Sequence, residues 1–284
     1  MTISEKIAAV LLSFLIALSS FVAILSFALS RTVCDPNFMV KVLTKHHYYD
    51  SIFEEYCDSV ESLAIPAGID EGVFSGVVKK QEFCDSINKI LFSAYSDQAS
   101  YAGDAFDYEV IYNRFYSAMT EFAENKGIDV NDELAEGLDN VSTLCASTCR
   151  TYCTLPFIDT IGGYASEYSK YFSLASLLAT VFSVFLIVIL CISKKWRRIS
   201  LLLASISAMT DGLMLAIAPA VILVSGKIKH LQINLKSLYL FAVGYSEDLL
   251  QSIFISGIIL IVVSIVLFVI YNLIKKLQET DFYE

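Results

Sequence analysis

The sequence predicts an all-α membrane protein with four transmembrane helices and a helical, disulfide-bonded extracytoplasmic domain between the first and second of them. Three observations predict this fold class. Four apolar stretches each approach or exceed the roughly 20 residues that cross a bilayer. A long acidic segment separates the first stretch from the other three, and six of the seven cysteines lie in it. The chain has only 4 Pro and 12 Gly, so long helices can form along most of its length.

The first predicted span, residues 7–30, follows Lys6 and contains no charged residue. A signal peptide has a shorter apolar region, of roughly 7–15 residues, so the length favours a retained signal anchor. Ala28 and Ser30 nevertheless have the small-residue spacing that signal peptidase accepts. Retention and cleavage of this helix therefore remain alternatives.

The other three spans are predicted at residues 172–192, 199–224 and 249–273. The first two of these are joined by a short loop, 193–198, in which four of six residues are lysine or arginine. Because positive charge in short loops favours the cytoplasmic side of a membrane, we expect this loop to be cytoplasmic. The other loops and both termini then follow by alternation.

This topology divides the chain into three parts. Residues 1–30 form the first helix, residues 31–170 form the external helical domain, and residues 171–284 form a three-helix membrane region with a short tail. The expected location is the cell membrane, crossed several times, with both termini in the cytoplasm and residues 31–170 outside.

Charge in the external segment limits the possible partners. Residues 31–170 contain 23 acidic and 10 basic residues, whereas the whole chain has a net charge of −10. A domain this acidic lacks the basic surface that binds phosphates, which excludes nucleic acid as a partner. The expected partners are the lipid bilayer and a protein or second copy of the chain, bound through the external domain or the transmembrane helices.

Helical periodicity runs through the external segment. Asp35-Pro36 is typical of a helix start, with the carboxylate capping and proline in the first turn. A seven-residue pattern then predicts one apolar stripe on one continuous helix. The stripe consists of Val42, His46, Tyr49, Phe53, Tyr56, Val60 and Leu63.

The remaining external helices follow from breaks and caps. The sequence Ile-Pro-Ala-Gly at residues 65–68 ends the first helix, and Asp70 is expected to cap a second one, with Ile69 packed on Phe74. Three further helices are predicted at about residues 82–95, 108–124 and 132–152, each with apolar residues on one face.

The external cysteines predict disulfide bonds. They are Cys34, Cys57, Cys84, Cys145, Cys149 and Cys153. An even number of cysteines outside the cytoplasm is typical of a disulfide framework. The last three recur every four residues on one helical face, so each is expected to bond a partner elsewhere, and Cys34 is expected to be bonded to that helix. Free thiols and metal binding are the alternatives, although the spacing differs from the common Cys-x2-Cys zinc pattern.

One candidate metal site lies near the start of the external domain. His47, Asp50 and Glu54 fall at helical positions i, i+3 and i+7, so an imidazole and two carboxylates would converge on a divalent cation. The alternative is a solvated helix face with salt links to Lys45, and the abundance of acidic residues favours that alternative. No cofactor is expected.

The second candidate site lies inside the membrane. Asp211 falls near the middle of the third span, where a carboxylate costs about 2.5–3.5 kcal/mol on insertion scales unless it is paired, protonated or facing water. Ser207 and Thr210 are expected to supply hydrogen bonds nearby. Such residues often mark an ion or proton pathway, and the alternative is a protonated carboxyl that bonds a neighbouring helix.

Sequence motifs of catalysis are absent from the chain. There is no G-x-S-x-G, no H-E-x-x-H and no phosphate-binding glycine-rich loop, so we expect no enzyme. The leading hypothesis is a membrane protein that displays an external helical domain for binding or assembly. The alternative is a transporter or channel component that uses Asp211 in an ion or proton pathway.

Overall fold

The computed structural model describes residues 3–70, 72–96, 107–156, 158–192 and 197–280. Within these ranges the regular secondary structure is helical and contains no strand, which confirms the all-α class. The positively charged loop predicted at 193–198 lies largely outside the described residues, since the description resumes at Arg197.

The helices, in chain order, are α1 (Ile3–Thr32), α2 (Pro36–Lys45), α3 (Tyr48–Ala64), α4 (Lys80–Ala94), α5 (Tyr108–Asn125), α6 (Asp132–Cys153), α7 (Ile158–Ile192), α8 (Arg197–Ser225) and α9 (Lys236–Thr280). Two short 3₁₀ helices, Ile65–Ala67 and Lys227–His230, follow α3 and α8. Helices α1, α7, α8 and α9 contain apolar segments long enough to cross a membrane, as the sequence predicted.

The chain forms two compact units. The first, here called the bundle, contains residues 1–35, 168–231 and 245–284. The second, here called the helical domain, contains residues 36–167 together with 232–244. The helical domain thus includes residues 232–244, which the sequence had assigned to the membrane region.

The helical domain has an apolar core supplied by one face of each helix. Its largest fully buried side chains include Phe83 and Leu91 of α4 and Phe115 and Met119 of α5. These residues are among those that helical spacing predicted to face inward. The start of α6 agrees with the predicted helix at 132–152, and the side chain of Asn131 accepts a hydrogen bond from the Leu134 amide and caps this helix.

The first helix of the helical domain is broken where the sequence predicted continuity. His47 has a φ of 55°, in the left-handed region, and separates α2 from α3. After the break Tyr48 and Ile52 are buried, whereas Tyr49 and Phe53 of the predicted stripe are only partly buried. Further along α3, Tyr56 and Val60 are buried as the stripe predicted. The single-helix prediction was therefore wrong at this point.

The helix predicted to begin at Asp70 is also not formed in the described part of the segment. Residues 72–78 make turns, with φ of 96° at Gly72 and 87° at Gly76. Glycine adopts such values without the steric cost of a side chain, so the two glycines favour turns here. Ile69 and Phe74 are nevertheless both buried, as expected.

Helix α9 begins earlier than the predicted span. The apolar stretch was placed at 249–273, but the helix starts at Lys236 and is 45 residues long. Its first turns, up to Gly244, belong to the helical domain, and the rest belongs to the bundle. Hydropathy alone missed the start because residues 236–248 mix polar and apolar side chains.

Candidate functional site

Asp211 lies inside the bundle and is closed off from its surface. The residue is only 1% exposed. Its carboxylate accepts a hydrogen bond from the Ser20 hydroxyl of α1, so α8 and α1 are joined at this point. The same serine hydroxyl lies 2.8 Å from the carbonyl oxygen of Ile16 on its own helix.

Ser207 and Thr210, the two residues expected to assist Asp211, have other partners. The Ser207 hydroxyl lies 3.1 Å from that of Ser13 and donates to the Ser13 carbonyl at 3.0 Å. Thr210 is exposed and donates to the Ile206 carbonyl one turn back on α8. The three predicted residues are therefore not gathered into one polar site.

Serines also form hydrogen bonds between bundle helices. Ser19 of α1 and Ser183 of α7 have hydroxyl oxygens 2.7 Å apart. Ser205 of α8 and Ser264 of α9 each donate to the other's carbonyl, at 2.9 and 2.8 Å. Small polar residues of this kind join helices in membranes, where no water competes for the hydrogen bonds.

Two glycines bring α8 and α9 into backbone contact. A Cβ atom added at Gly257 would lie 2.7 Å from the amide nitrogen of Ala216 and 2.8 Å from the carbonyl oxygen of Gly212. A Cβ at Gly212 would lie 2.9 Å from the Gly257 carbonyl oxygen. Any larger residue at either position would force the two backbones apart, so this crossing requires glycine.

The three residues of the candidate metal site do not converge on one point, because Asp50 and Glu54 lie beside different lysines. His47 Nδ1 lies 3.0 Å from Asp50 Oδ2, but the other oxygen of Asp50 is paired with Lys80. Glu54 instead lies 3.5 Å from Lys236. The hydrogen bond from Lys80 and, to a smaller extent, the one from His47 lower the pKa of Asp50. Among the described residues, no three His, Cys, Asp or Glu side chains are grouped to hold a metal ion.

The six cysteines between residues 34 and 153 are free thiols in this structure. The structure therefore does not show the expected disulfide bonds, including the one expected between Cys34 and α6. Cys34 belongs to the bundle, whereas Cys145, Cys149 and Cys153 of α6 belong to the helical domain. All three α6 thiols are buried, with at most 1% exposure.

Sequence analysis missed the contact that holds the start of α9. The Glu55 carboxylate accepts hydrogen bonds from the Ser237 amide at 2.8 Å and from the Ser237 hydroxyl at 2.6 Å. A carboxylate that binds the first amides of a helix complements the positive end of its dipole. The only sequence signal was a serine next to the first helical residue, which is weak by itself.

Two further contacts fix α9 on the helical domain. Phe241 packs edge-on against Tyr48, with ring centroids 6.1 Å apart. A Cβ added at Gly244 would lie 2.4 Å from the imidazole of His46, so the ring packs directly against the α9 backbone. His46 is thus a packing residue of the core, in agreement with its place on the predicted stripe.

Comparison with known proteins does not assign the chain to a class. No protein-family model, no curated protein and no solved structure matches it.

Proposed function

We propose that this chain is a multi-pass membrane protein without enzymatic activity, which displays its helical domain outside the cell for binding or assembly. The partner is a protein or a second copy of the chain. In this proposal both termini are cytoplasmic, residues 31–170 are extracytoplasmic, and disulfide bonds stabilise the external domain.

The closed environment of Asp211 is the observation that carries the proposal. A residue that conducts ions or protons must exchange with water on at least one side of the membrane. Asp211 is instead 1% exposed and contacts Ser20 of the adjacent helix. This arrangement supports a structural role, in which the carboxyl holds α8 against α1.

Hydrogen-bond counting supports a neutral carboxyl at this position. The Ser20 hydroxyl has one hydrogen, yet both Asp211 and the Ile16 carbonyl lie within reach as acceptors. If Asp211 is protonated, it donates to Ser20 while Ser20 donates to the carbonyl of Ile16 or Ala17, so both hydroxyl hydrogens have an acceptor. A neutral acid is also the form that a low-dielectric bundle accommodates at least cost.

The outward placement of the helical domain is supported by its composition. The segment is rich in carboxylates and contains six cysteines, a combination suited to a solvated and oxidising compartment. The short loop at 193–198 has four positive charges, which favour the cytoplasm and place the preceding external segment on the other side.

Substitution of Asp211 tests the function. In vesicles reconstituted with the full chain and loaded with a pH-sensitive dye, imposed sodium, potassium or proton gradients should produce no flux above protein-free vesicles. Asp211→Asn should retain folding and surface level. Thr210→Val, at an exposed position on the same helix, is the matched control. A wild-type flux that Asp211→Asn abolishes and Thr210→Val retains would overturn the proposal in favour of transport.

Topology has a separate test. A cysteine introduced at Ser193 should react with a membrane-impermeant maleimide only after the membrane is permeabilised. Proteolysis of intact cells should remove residues from the 31–170 segment. Labelling of position 193 from outside would contradict the proposed orientation.

A further inference from the structure

Helix α6 has one buried face and one exposed face. The buried face contains Leu138, Ser142 and Cys145, which recur at helical intervals of four and three residues. Because an α-helix turns about 100° per residue, Asn140 lies about 160° around the helix from both Leu138 and Ser142. Asn140 is exposed, in agreement with this position at the centre of the opposite face.

The surface around Asn140 is open. Its neighbours one turn away on the helix, Glu136, Gly137, Thr143 and Leu144, are all exposed. No described atom lies within 4 Å of a Cβ atom added at Gly137, and Leu144 is 51% exposed. A bulky group attached to Asn140 would therefore have room on this face of α6.

The fold makes no use of the Asn140 side chain. Among the residues that the structure describes, this side chain takes part in no hydrogen bond or ion pair. Two other asparagines of the helical domain do have structural roles, since Asn88 accepts a hydrogen bond from Tyr49 and Asn131 caps α6. The amide of Asn140 is thus available for chemistry that the fold does not require.

Asn140 is the first residue of an acceptor triplet for N-linked glycans. Val141 and Ser142 complete the pattern Asn-x-Ser, in which the middle residue is not proline. None of the other asparagines in the sequence is followed two residues later by serine or threonine. The one such triplet in the chain therefore begins at an exposed asparagine in the segment that the proposed topology places outside the cell.

The burial of Ser142 determines when the triplet could be modified. Ser142 is 0% exposed, and its hydroxyl donates to the Leu138 carbonyl at 2.7 Å. A transferase that recognises the triplet needs access to this hydroxyl, which the folded helix does not give. The acceptor must therefore be the nascent chain, before α6 packs into the helical domain.

We propose that Asn140 carries an N-linked glycan, added while the chain enters the membrane. The proposal rests on the proposed function, because such glycans are attached on the non-cytoplasmic side, where residues 31–170 are placed. A glycan is bulky and solubilising, so it covers the exposed Leu144 and keeps protein partners away from the outer face of α6. The partner of the helical domain then binds a different face.

The transfer requires an oligosaccharide linked to a lipid diphosphate as co-reactant. The side-chain amide nitrogen of Asn140 forms a bond to the anomeric carbon of the first sugar. The bond between that carbon and the diphosphate oxygen breaks, the amide nitrogen loses one proton, and the lipid diphosphate leaves. No group is oxidised or reduced.

Glycosidase digestion of the full chain tests the modification. The chain is expressed in a eukaryotic host that transfers N-linked glycans, and its electrophoretic mobility is compared before and after treatment with a peptide N-glycosidase. A single shift, equal to one glycan, is expected. Release converts the modified asparagine to aspartate, which mass spectrometry should locate at residue 140 of the tryptic peptide 127–150.

Three variants assign the shift to this triplet. Asn140→Gln and Ser142→Ala should each abolish it, because the first removes the accepting amide and the second removes the hydroxyl that the transferase recognises. Asn113→Gln is the matched control and should keep the shift, since Asn113 is also exposed on a helix but lies outside any acceptor triplet. Asn140→Gln should unfold at the same temperature as wild-type protein from which the glycan has been removed.

A second acceptor separates this inference from the proposed function. Glu133→Thr creates a triplet at the exposed Asn131 and should give two glycans. An unmodified wild type beside a singly modified Glu133→Thr would overturn the glycan at Asn140 and leave the external placement standing. If neither protein is modified, the external placement fails as well. A shift that persists in Asn140→Gln would overturn the assignment to Asn140.

Discussion

The largest fully buried side chains of the helical domain are mostly apolar, such as Phe83, Phe115 and Leu91, whereas the buried residues described in the bundle include six serines, Thr32 and Asp211. The apolar residues of the bundle, such as Phe14 and Val181, are mostly on its surface. In water, burial of apolar side chains stabilises a core such as that of the helical domain. Helices in lipid gain little from burying more apolar surface, so small polar residues can occupy the interior of the bundle. The two regions of one chain are thus built for two solvents.

The largest expected effect is at the α8–α9 crossing. Stability there depends on how closely two backbones pack and not on burial of large apolar side chains, so this site tests the difference between the bundle and the helical domain. Gly257→Val should destabilise the bundle by about 3 kcal/mol or more, because its side chain meets the α8 backbone and cannot be relieved by a rotamer change. Thermal unfolding of purified protein in detergent measures the effect. Gly163→Val, at a helical glycine with no neighbour within 4 Å, is the control and should be nearly neutral.

A smaller effect is expected at a contact of the helical domain that depends on a carboxylate instead of on apolar packing. Glu55→Ala should cost about 2 kcal/mol, since it removes both hydrogen bonds to Ser237 and the cap of α9. Glu54→Ala is the matched control, because the adjacent Glu54 side chain is 68% exposed and only near Lys236. Equal destabilisation by the two substitutions in a chemical denaturation series would show that Glu55 does not cap the helix.

The bundle's hydrogen bonds should each contribute less. Ser20→Ala should destabilise the bundle by about 1 kcal/mol, near the range measured for such bonds between membrane helices. The loss leaves Asp211 without its α1 partner, so Ser20→Ala and Asp211→Asn should be non-additive in a double-mutant cycle. If the destabilisations by Ser20→Ala and Asp211→Asn simply add when the protein is unfolded in detergent, then the Asp211 carboxyl does not depend on α1 and the polar interior of the bundle does not hold its helices together.

The smallest effect concerns an exposed charge of the helical domain. Because Lys80 lowers the pKa of Asp50 in the folded state, the pair stabilises the fold above the unfolded pKa of about 3.9 and loses that contribution as pH falls through the lower folded value. Asp50→Asn should lower stability by less than about 1 kcal/mol at neutral pH and by nothing in strong acid. Melting curves against pH measure this, with Asp58→Asn as control.

Sequence patterns predicted the helices of this protein better than their junctions. Apolar length predicted α1 and α8 closely, because crossing a bilayer imposes a length that hydropathy reports. Helix α7 ends where its span was predicted to end but begins at Ile158, well before the predicted start at residue 172. The break at His47 was missed, because apolar residues on both sides of it fit one helical pattern and nothing in the sequence marks a left-handed residue there. The early start of α9 was missed because residues 236–248 mix polar and apolar side chains, so their hydropathy does not extend the apolar span.

Only part of the candidate site could be predicted from the sequence. Asp211 stands out because a carboxylate in an apolar run is costly wherever it packs. Its partner Ser20 lies 191 residues away in the chain and is one of many serines in the spans, so only packing identifies it. The same holds for Glu55, which is one acidic residue among many until α9 is seen to begin beside it.

The separation of Ser20 from Asp211 has a consequence for biosynthesis. At about 5–20 residues per second, the ribosome makes α8 some 10–40 s after α1, so α1 must wait in the bilayer for its partner. Asp211 enters the membrane carrying a penalty of about 2.5–3.5 kcal/mol that falls only when the two helices meet. A nascent chain deprived of α1 would therefore retain an uncompensated carboxyl in lipid, the kind of defect by which membrane quality control recognises an unassembled protein.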